Sequence, residues 1–305
     1  MKKYIAVVAL IVLISGCTIP GTNIELPFLG ASVKEYSDDV VVIDMIRVTP
    51  SSEIRSGESA TLRVYIKNVM ESSEREPQNV KVSLYNDCNL FDINLISCSG
   101  DKGGKKEGER TCNIGTLGPQ STGIIEWKLK AKRVSVENTC DIGIMVKYEY
   151  ITHSTSSVTF VNKKEYERLL MEGKKISSTA RISVGEGPIK PYVEVRGQPI
   201  IVEDNEGSGL MRFWIENKGK GELYGDKIKL RELKGEGITG VEDCKKKAKE
   251  IRIIGRKSPF YVCEIKLGGG ERVELEKTYW INAKIEYTYS FRKTIRVDVK
   301  PPLSV

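Results

Sequence analysis

The side chains able to support catalysis are few in this sequence. Its 305 residues contain a single histidine, His153, which is followed by Ser154, Thr155, Ser156 and Ser157. A Ser–His triad needs the histidine to be held by a third group, and neighbours in one loop cannot easily converge in that way. We expect His153 to be an exposed residue at the tip of a hairpin, and we predict no catalytic residue and no enzyme activity.

One cysteine near the N-terminus predicts a different kind of chemistry. Residues 13–17 read Leu-Ile-Ser-Gly-Cys and follow two lysines and an apolar run over residues 4–14, which is too short to span a bilayer and is typical of a signal peptide. The segment ending at Cys17 resembles a prokaryotic lipobox, in which small residues precede a cysteine that receives lipid. We therefore predict a signal peptide over 1–16, lipidation of Cys17 and a tether over 17–39.

An ordinary signal peptide with a chance cysteine and an uncleaved anchor helix are the alternatives at this end of the chain. All three place the remaining residues outside the cytoplasm. We expect the protein to be attached to the cell membrane, on its extracellular face, through a lipid or an N-terminal anchor.

The other cysteines fit the same compartment. They are Cys88, Cys98, Cys112, Cys140, Cys244 and Cys263. An even number in an exported chain predicts three disulfides. No two of the six have C-x-x-C spacing, so a zinc ribbon or a thioredoxin-like redox motif fits poorly.

Two further segments raise the question of metal or phosphate binding. Residues 203–206 place two glutamates, an aspartate and an asparagine together, but they lack the spaced acidic pattern of an EF-hand loop and fit a polar hairpin turn better. Residues 268–270 are three glycines without the Lys-Ser/Thr that completes a phosphate-binding loop. We predict no metal site and no cofactor.

Charge does not point to nucleic acid. The net charge is +7, from 48 basic and 41 acidic residues, and no basic stripe is interleaved with aromatic residues. The densest basic segment, residues 245–257, also contains Glu250, and we interpret it as a solvated face rather than a site for anionic polymers. We expect Trp127, Trp214 and Trp280 to lie in the core rather than on a sugar-stacking platform.

The pattern of residue types after residue 40 indicates an all-β protein. Short β-branched runs alternate with turn residues, a pattern typical of sandwiches. We predict one immunoglobulin-like sandwich over 40–162 and a second over 191–300, joined by a helix and linker over 163–190.

An internal repeat supports two halves of one fold. Residues 64–68 match 213–217, residues 80–82 match 228–230, residues 112–114 match 263–265, and residues 147–150 match 284–287. We also match the strands that reach Trp127 and Trp280, and we expect 147–150 and 284–287 each to open a final hairpin. Equivalent positions then predict the pairs Cys98–Cys112 and Cys244–Cys263, which leaves Cys88–Cys140.

The same segments resemble a known family. Ile215 to Gly221 followed by residues 228–230 resembles the N-x-G strand–turn signature of the cell-adhesion-related (CARDB-type) immunoglobulin-like repeats of bacterial and archaeal surface proteins. In the first half, Val69 and Met70 follow Asn68 where the family prefers glycine. The resemblance implies the sandwich fold and, more loosely, adhesion.

These observations favour a non-catalytic surface lipoprotein that acts as a binding or structural module of the envelope, with an envelope protein or glycan as its partner. An accessory carbohydrate-binding protein is the alternative, and a secreted hydrolase is a more distant one. A solvent-facing aromatic row would favour carbohydrate, whereas an exposed strand edge or apolar patch would favour a protein partner.

Overall fold

The computed structural model describes residues 38–71, 75–174 and 181–303. The predicted signal peptide (1–16), Cys17 and nearly all of the predicted tether (17–39) lie outside the described residues. Within the described ranges, no helix combines the length and the apolar character that crossing a membrane requires.

The described residues form strands and two short helices, which confirms the all-β prediction. The strands of the first half are β1 (Val41–Thr49), β2 (Glu53–Arg55), β3 (Ser59–Asn68), β4 (Gln78–Asn86), β5 (Phe91–Ser99), β6 (Lys105–Lys106), β7 (Thr111–Gly115), β8 (Thr122–Ala131) and β9 (Asn138–Asn162). Those of the second half are β10 (Ile182–Val184), β11 (Ile189–Arg196), β12 (Ile200–Val202), β13 (Ser208–Asn217), β14 (Glu222–Gly235), β15 (Ile238–Thr239), β16 (Tyr261–Leu267) and β17 (Glu276–Lys300). Helix α1 covers Lys163–Met171, inside the predicted helical segment, and helix α2 covers Val241–Lys247.

The strands form three sheets. The first cover sheet has the order β1-β3-β8-β5, and the second cover sheet has the order β11-β13-β16-β15. A larger shared sheet runs β14-β17-β9-β4-β7-β6, with β2, β10 and β12 added beside its long central strands. Buried apolar residues from all three sheets belong to one core cluster.

Strands β9 and β17 join the two halves of the chain. Each is 25 residues long, and they pair antiparallel from Asn138 opposite Val299 to Val161 opposite Glu276. Even-numbered residues of β9 and odd-numbered residues of β17 face the core along most of this ladder, as period-two alternation requires. One sheet therefore runs continuously through both halves.

The strand order is that of an immunoglobulin-like sandwich, with one strand exchanged between the halves. In that fold, strands A, B, E and D form one sheet and strands C, F and G form the other. In the first sandwich, β1, β3, β8 and β5 are A, B, E and D, while β4 and β9 are C and F; strand G is the C-terminal part of β17. In the second sandwich, the C-terminal part of β9 is strand G. The first half of the chain is residues 40–162, and the second half is residues 191–300.

The predicted final hairpins do not exist. Residues 147–150 and 284–287 lie in the middle of β9 and β17, where Tyr150 pairs with Tyr287. Residues 154–157 have the serine-rich composition of a turn, yet they pair with residues 280–283 on one side, and Ser154 and Ser156 also pair with β10 on the other. Because backbone groups paired on both sides are fully satisfied, serine side chains of low strand propensity are held in an extended segment.

Three disulfides are present, and they are the pairs predicted from the repeat: Cys88–Cys140, Cys98–Cys112 and Cys244–Cys263. The strand equivalence behind the prediction does not hold, because Cys112 lies on β7 of the shared sheet and Cys263 lies on β16 of the second cover sheet. What the halves share is one cysteine in the segment between two strands of the cover sheet. This cysteine is Cys112 between β5 and β8 in the first half and Cys244 between β15 and β16 in the second.

The asparagine that ends strand B has the same role in both halves. Asn68 donates to the carbonyl of Leu117 at 2.9 Å, and Asn217 donates to the carbonyl of Gly221 at 2.8 Å. Both asparagines are buried, so their amide groups need these backbone partners inside the protein. The asparagine of the N-x-G signature is therefore a structural residue.

Candidate binding site

His153 lies within β9, opposite Lys284, and is half-buried rather than at a loop tip as expected. Burial, together with the positive charges of Arg75 and Lys284, lowers the pKa of His153 to about 4. The imidazole is therefore neutral at physiological pH. It lies in a regular strand, where its backbone carbonyl accepts a hydrogen bond of 2.9 Å from Gly185 N.

The acidic segment 203–206 is the tight hairpin turn that we predicted. Glu203 and Glu206 exchange backbone hydrogen bonds of 3.0 and 2.8 Å, and Asp204 and Asn205 both have positive φ, as a type I′ turn requires. In the described part of the chain, no three His, Cys, Asp or Glu side chains cluster closely enough to hold a metal ion. Residues 268–270 also form a turn, closed by a 3.1 Å hydrogen bond from Glu271 N to Gly268 O.

The basic residues of segment 245–257 make separate contacts in different parts of the protein. Lys246 pairs with Asp243 along α2, and the Arg256 guanidinium donates to the carbonyls of Asn217 and Gly219. Lys257 pairs with Glu216 at 2.8 Å. The segment is thus not one continuous cationic surface.

The three tryptophans differ in location, and the prediction that all lie in the core is wrong for two of them. Trp127 is fully buried, Trp214 is half-buried on the outer face of the second cover sheet, and Trp280 is 46% exposed on the shared sheet. The alternation of buried and exposed residues along each strand predicts this difference. Trp280 has the parity of Asn282 and Lys284, whereas the buried residues of β17 occupy the other parity.

One aromatic group is a row across the second cover sheet, here called the Trp214 ladder and formed by Tyr192, Trp214 and Phe260. Tyr192 and Trp214 are cross-strand partners whose rings stack with centroids 5.3 Å apart, and Phe260 meets Trp214 edge-on, also at 5.3 Å. Lys257 lies 5.1 Å from the centre of the Trp214 ring and 4.7 Å from that of Phe260. Each of the three rings is thus packed against another ring of the ladder.

Glu216 contacts the charged and polar groups beside the Trp214 ladder and holds them in place. It accepts hydrogen bonds from the Trp214 indole at 2.9 Å and pairs with Lys218 at 2.6 Å and Lys257 at 2.8 Å. Burial by itself would raise the pKa of Glu216, but these donors outweigh it and lower the pKa to about 2. The ladder is consequently a rigid, already satisfied network.

The second aromatic feature is a cavity of about 520 Å³ around Trp280, here called the Trp280 cavity. It is lined by Thr155, Glu236, Gly237, Glu271, Thr278, Tyr279, Trp280 and Asn282. These residues come from β9, from β17, and from the turns that follow β14 and β16. Among the described residues, no ring or cation stacks on the Trp280 indole.

Hydrogen bonds orient the polar wall of the Trp280 cavity. Thr155 Oγ1 donates to Asn282 Oδ1 at 2.9 Å, and among the described residues the Asn282 amide nitrogen donates to no protein acceptor. Glu271 accepts from Tyr279 at 2.7 Å and pairs with Lys277 at 2.6 Å. Hydrogen bonds from Lys277 and Tyr279 lower the pKa of Glu271, which keeps this carboxylate ionised.

The shared sheet has a different surface in the first half, where a tyrosine ring lies over a glycine. The shared sheet there carries Gly143 on β9, and the Tyr85 ring lies directly over it, so that an added Cβ would meet the ring at 2.4 Å. Tyr85 thus covers the glycine, and Arg292 lies 5.8 Å from the centre of its ring. The open indole is a feature of the second half.

Comparisons with known proteins add no assignment. No protein-family model matches the chain, and no curated protein matches its sequence. A solved structure of the Enterococcus faecalis MSCRAMM ACE, described as binding its ligands by the collagen Hug model, is 8% identical with a TM-score of 0.22, over 85% of this chain and 95% of that one. The C-terminal domain of the Streptococcus agalactiae AgI/II polypeptide BspA is 6% identical with a TM-score of 0.22, over 81% and 94% of the two chains. The secreted serine protease VesC from Vibrio cholerae is 7% identical with a TM-score of 0.22, over 82% of this chain and 50% of that one. These values are too low to indicate a ligand for this chain.

Proposed function

We propose that this chain is a non-catalytic surface protein, held at the outer face of the membrane by lipid on Cys17, and that it binds a glycan in the Trp280 cavity. The observation that carries the glycan assignment is the exposed indole of Trp280 set among oriented hydrogen-bonding groups. The anchor rests on the sequence motif at Cys17.

The chemistry of the cavity suits a sugar. The C–H groups on one face of a pyranose ring are apolar and pack against an aromatic face, while its hydroxyls need donors and acceptors at the rim. The Trp280 indole supplies the first element, and Asn282, Thr278 and Glu236 supply the second. A volume of about 520 Å³ lies within the range of small-ligand sites.

A protein partner is the second candidate and would use a different surface. Leu210 and Val262 are exposed beside the Trp214 ladder on the outer face of the second cover sheet, and Phe260 of the ladder is exposed as well. Aromatic and arginine-rich apolar patches are typical of protein interfaces. However, the ladder's charges and rings already satisfy one another, whereas the Trp280 side chain is 46% exposed.

The test is binding of the full chain, purified in mild detergent, to a panel of envelope polysaccharides and oligosaccharides. Trp280→Ala should weaken glycan binding by about tenfold or more, which corresponds to ~1.4 kcal/mol. Tyr85→Ala is the matched control, because Tyr85 is 47% exposed on the same sheet but lies in the other half. Phe260→Ser tests the protein-binding surface. If Trp280→Ala binds every glycan as the wild type does, the assignment is wrong.

A further inference from the structure

A second cavity of about 870 Å³ adjoins the Trp280 cavity, and Glu271 lines both. The second cavity is formed by the 203–206 turn, the 268–270 turn, Thr239 and Lys266, among others. We call the two together the acidic groove. It extends the binding surface from the indole of Trp280 to the type I′ turn.

The charge of the acidic groove is opposite to that of the whole protein. Its lining carries five carboxylates, on Glu203, Asp204, Glu206, Glu236 and Glu271, and one lysine, Lys266. The chain as a whole has a net charge of +7. A concentration of one sign in a concave surface strengthens the local field and selects ligands of the other sign.

Ion pairs offset only part of this negative charge. Glu271 pairs with Lys277 at 2.6 Å, and Glu203 pairs with Lys163 at 2.7 Å. In the described ranges, Glu236, Asp204 and Glu206 take part in no ion pair. Three carboxylates thus stay available to a ligand.

An available indole face together with unpaired carboxylates is an arrangement that recognises ammonium groups. The π face attracts a cation, and a carboxylate adds a charge-assisted hydrogen bond. Both elements line the Trp280 cavity, in Trp280 and Glu236. Uronate and sulfate groups would meet repulsion in the same place.

We propose that the acidic groove binds glycans carrying free, protonated amino groups, such as 2-amino-2-deoxy sugar units, in preference to neutral or acidic glycans. This inference rests on the proposed glycan-binding function and specifies its ligand. The amine lies between Trp280 and Glu236, and further amines along an oligomer face Asp204 and Glu206.

The test compares two hexamers that differ only in their amines: a fully deacetylated glucosamine hexamer and its N-acetylated counterpart. Binding to the full chain in mild detergent is measured at mildly acidic pH by titration calorimetry. The free-amine hexamer should bind at least about tenfold more tightly and lose affinity as salt is added, because its contacts are ionic. Glu236→Gln should weaken binding of the free-amine hexamer by a larger factor than it weakens binding of the N-acetylated hexamer. Glu109→Gln, which removes an exposed carboxylate of the first half that lies outside the groove, is the matched control.

The outcomes separate this inference from the proposed function. Equal or tighter binding of the N-acetylated hexamer, with loss of both in Trp280→Ala, overturns the amine preference and leaves glycan binding supported. No effect of Glu236→Gln on the free-amine hexamer also overturns the amine preference. If neither hexamer binds, the amine proposal fails, and the glycan panel with Trp280→Ala then decides the proposed function separately.

Discussion

Tyr150 and Tyr287 are equivalent residues in the sequence repeat, and they lie directly opposite each other in the β9–β17 ladder. Their rings meet edge to face with centroids 6.3 Å apart, and the Tyr287 hydroxyl lies 2.8 Å from Thr152 Oγ1. Because two equivalent residues are partners across an antiparallel pair, a local two-fold axis passes between them. Each F strand therefore continues across this axis and becomes the G strand of the other sandwich.

The exchange of strands predicts that neither half is complete alone. We expect chains covering 38–174 and 181–303 to be largely unfolded when produced separately and to form a folded one-to-one complex when refolded together. Each half alone lacks strand G and leaves a long edge of the shared sheet unpaired. Circular dichroism and light scattering before and after mixing provide the measurement. A folded monomer of either half would contradict the prediction.

The disulfides predict a graded loss of stability. In the loop-entropy model, the 52-residue separation of Cys88 and Cys140 gives about 4 kcal/mol, and the 14-residue separation of Cys98 and Cys112 gives about 3 kcal/mol. Replacing both cysteines of the first pair by serine should lower the free energy of unfolding more than replacing those of the second. Urea unfolding without reductant compares the two double variants with the wild type. The opposite order would show that local packing outweighs loop length.

His153 predicts an acid-dependent part of the stability. Its pKa is about 4 in the folded protein and 6.5 in its ordinary state, so between these values the unfolded chain binds more protons than the folded one. Stability is therefore lost as the pH falls from about 6.5 to about 4. His153→Gln should show a shallower fall in melting temperature over this window. Parallel curves for the variant and the wild type would contradict the prediction.

The lipobox at Cys17 predicts the location of the protein. Cys17→Ser should move the protein from the membrane fraction to the medium or leave an unprocessed precursor, because the thiol that would receive lipid is absent. Fractionation and intact mass of the two proteins provide the measurement. If mutant and wild type partition identically and differ in mass only by the substitution itself, lipid anchoring at Cys17 is wrong.

Part of the structure could be predicted from residues that are close together in the sequence. The alternation of β-branched and polar residues indicated strands, and the Asp204–Asn205 turn was readable because these residues tolerate positive φ. The repeat led to the three disulfide pairs, although Cys112 and Cys263 do not lie on equivalent strands. These features depend on interactions within a strand or a turn, or on residue order.

The candidate site was less accessible to sequence reasoning. The prediction that Trp280 lies in the core rests on its position in a strand, although Trp280 alternates in β17 with the buried residues and matches Asn282. Its cavity also needs Thr155 from the other half and Glu271 from a separate turn. No local pattern brings these residues together.

The sequence by itself determined the alternating residue pattern of the strands, the turn at 203–206, the cysteine pairing and the presence of two similar halves. Only the tertiary structure decided that residues 138–162 and 276–300 are single long strands and that the Trp280 indole faces solvent. The physical reason is the range of the interactions. Serine-rich residues 154–157 favour a turn locally, but pairing with residues 280–283 satisfies their backbone groups and holds them extended. That pairing joins residues more than a hundred positions apart, so it becomes visible only when both halves are folded together.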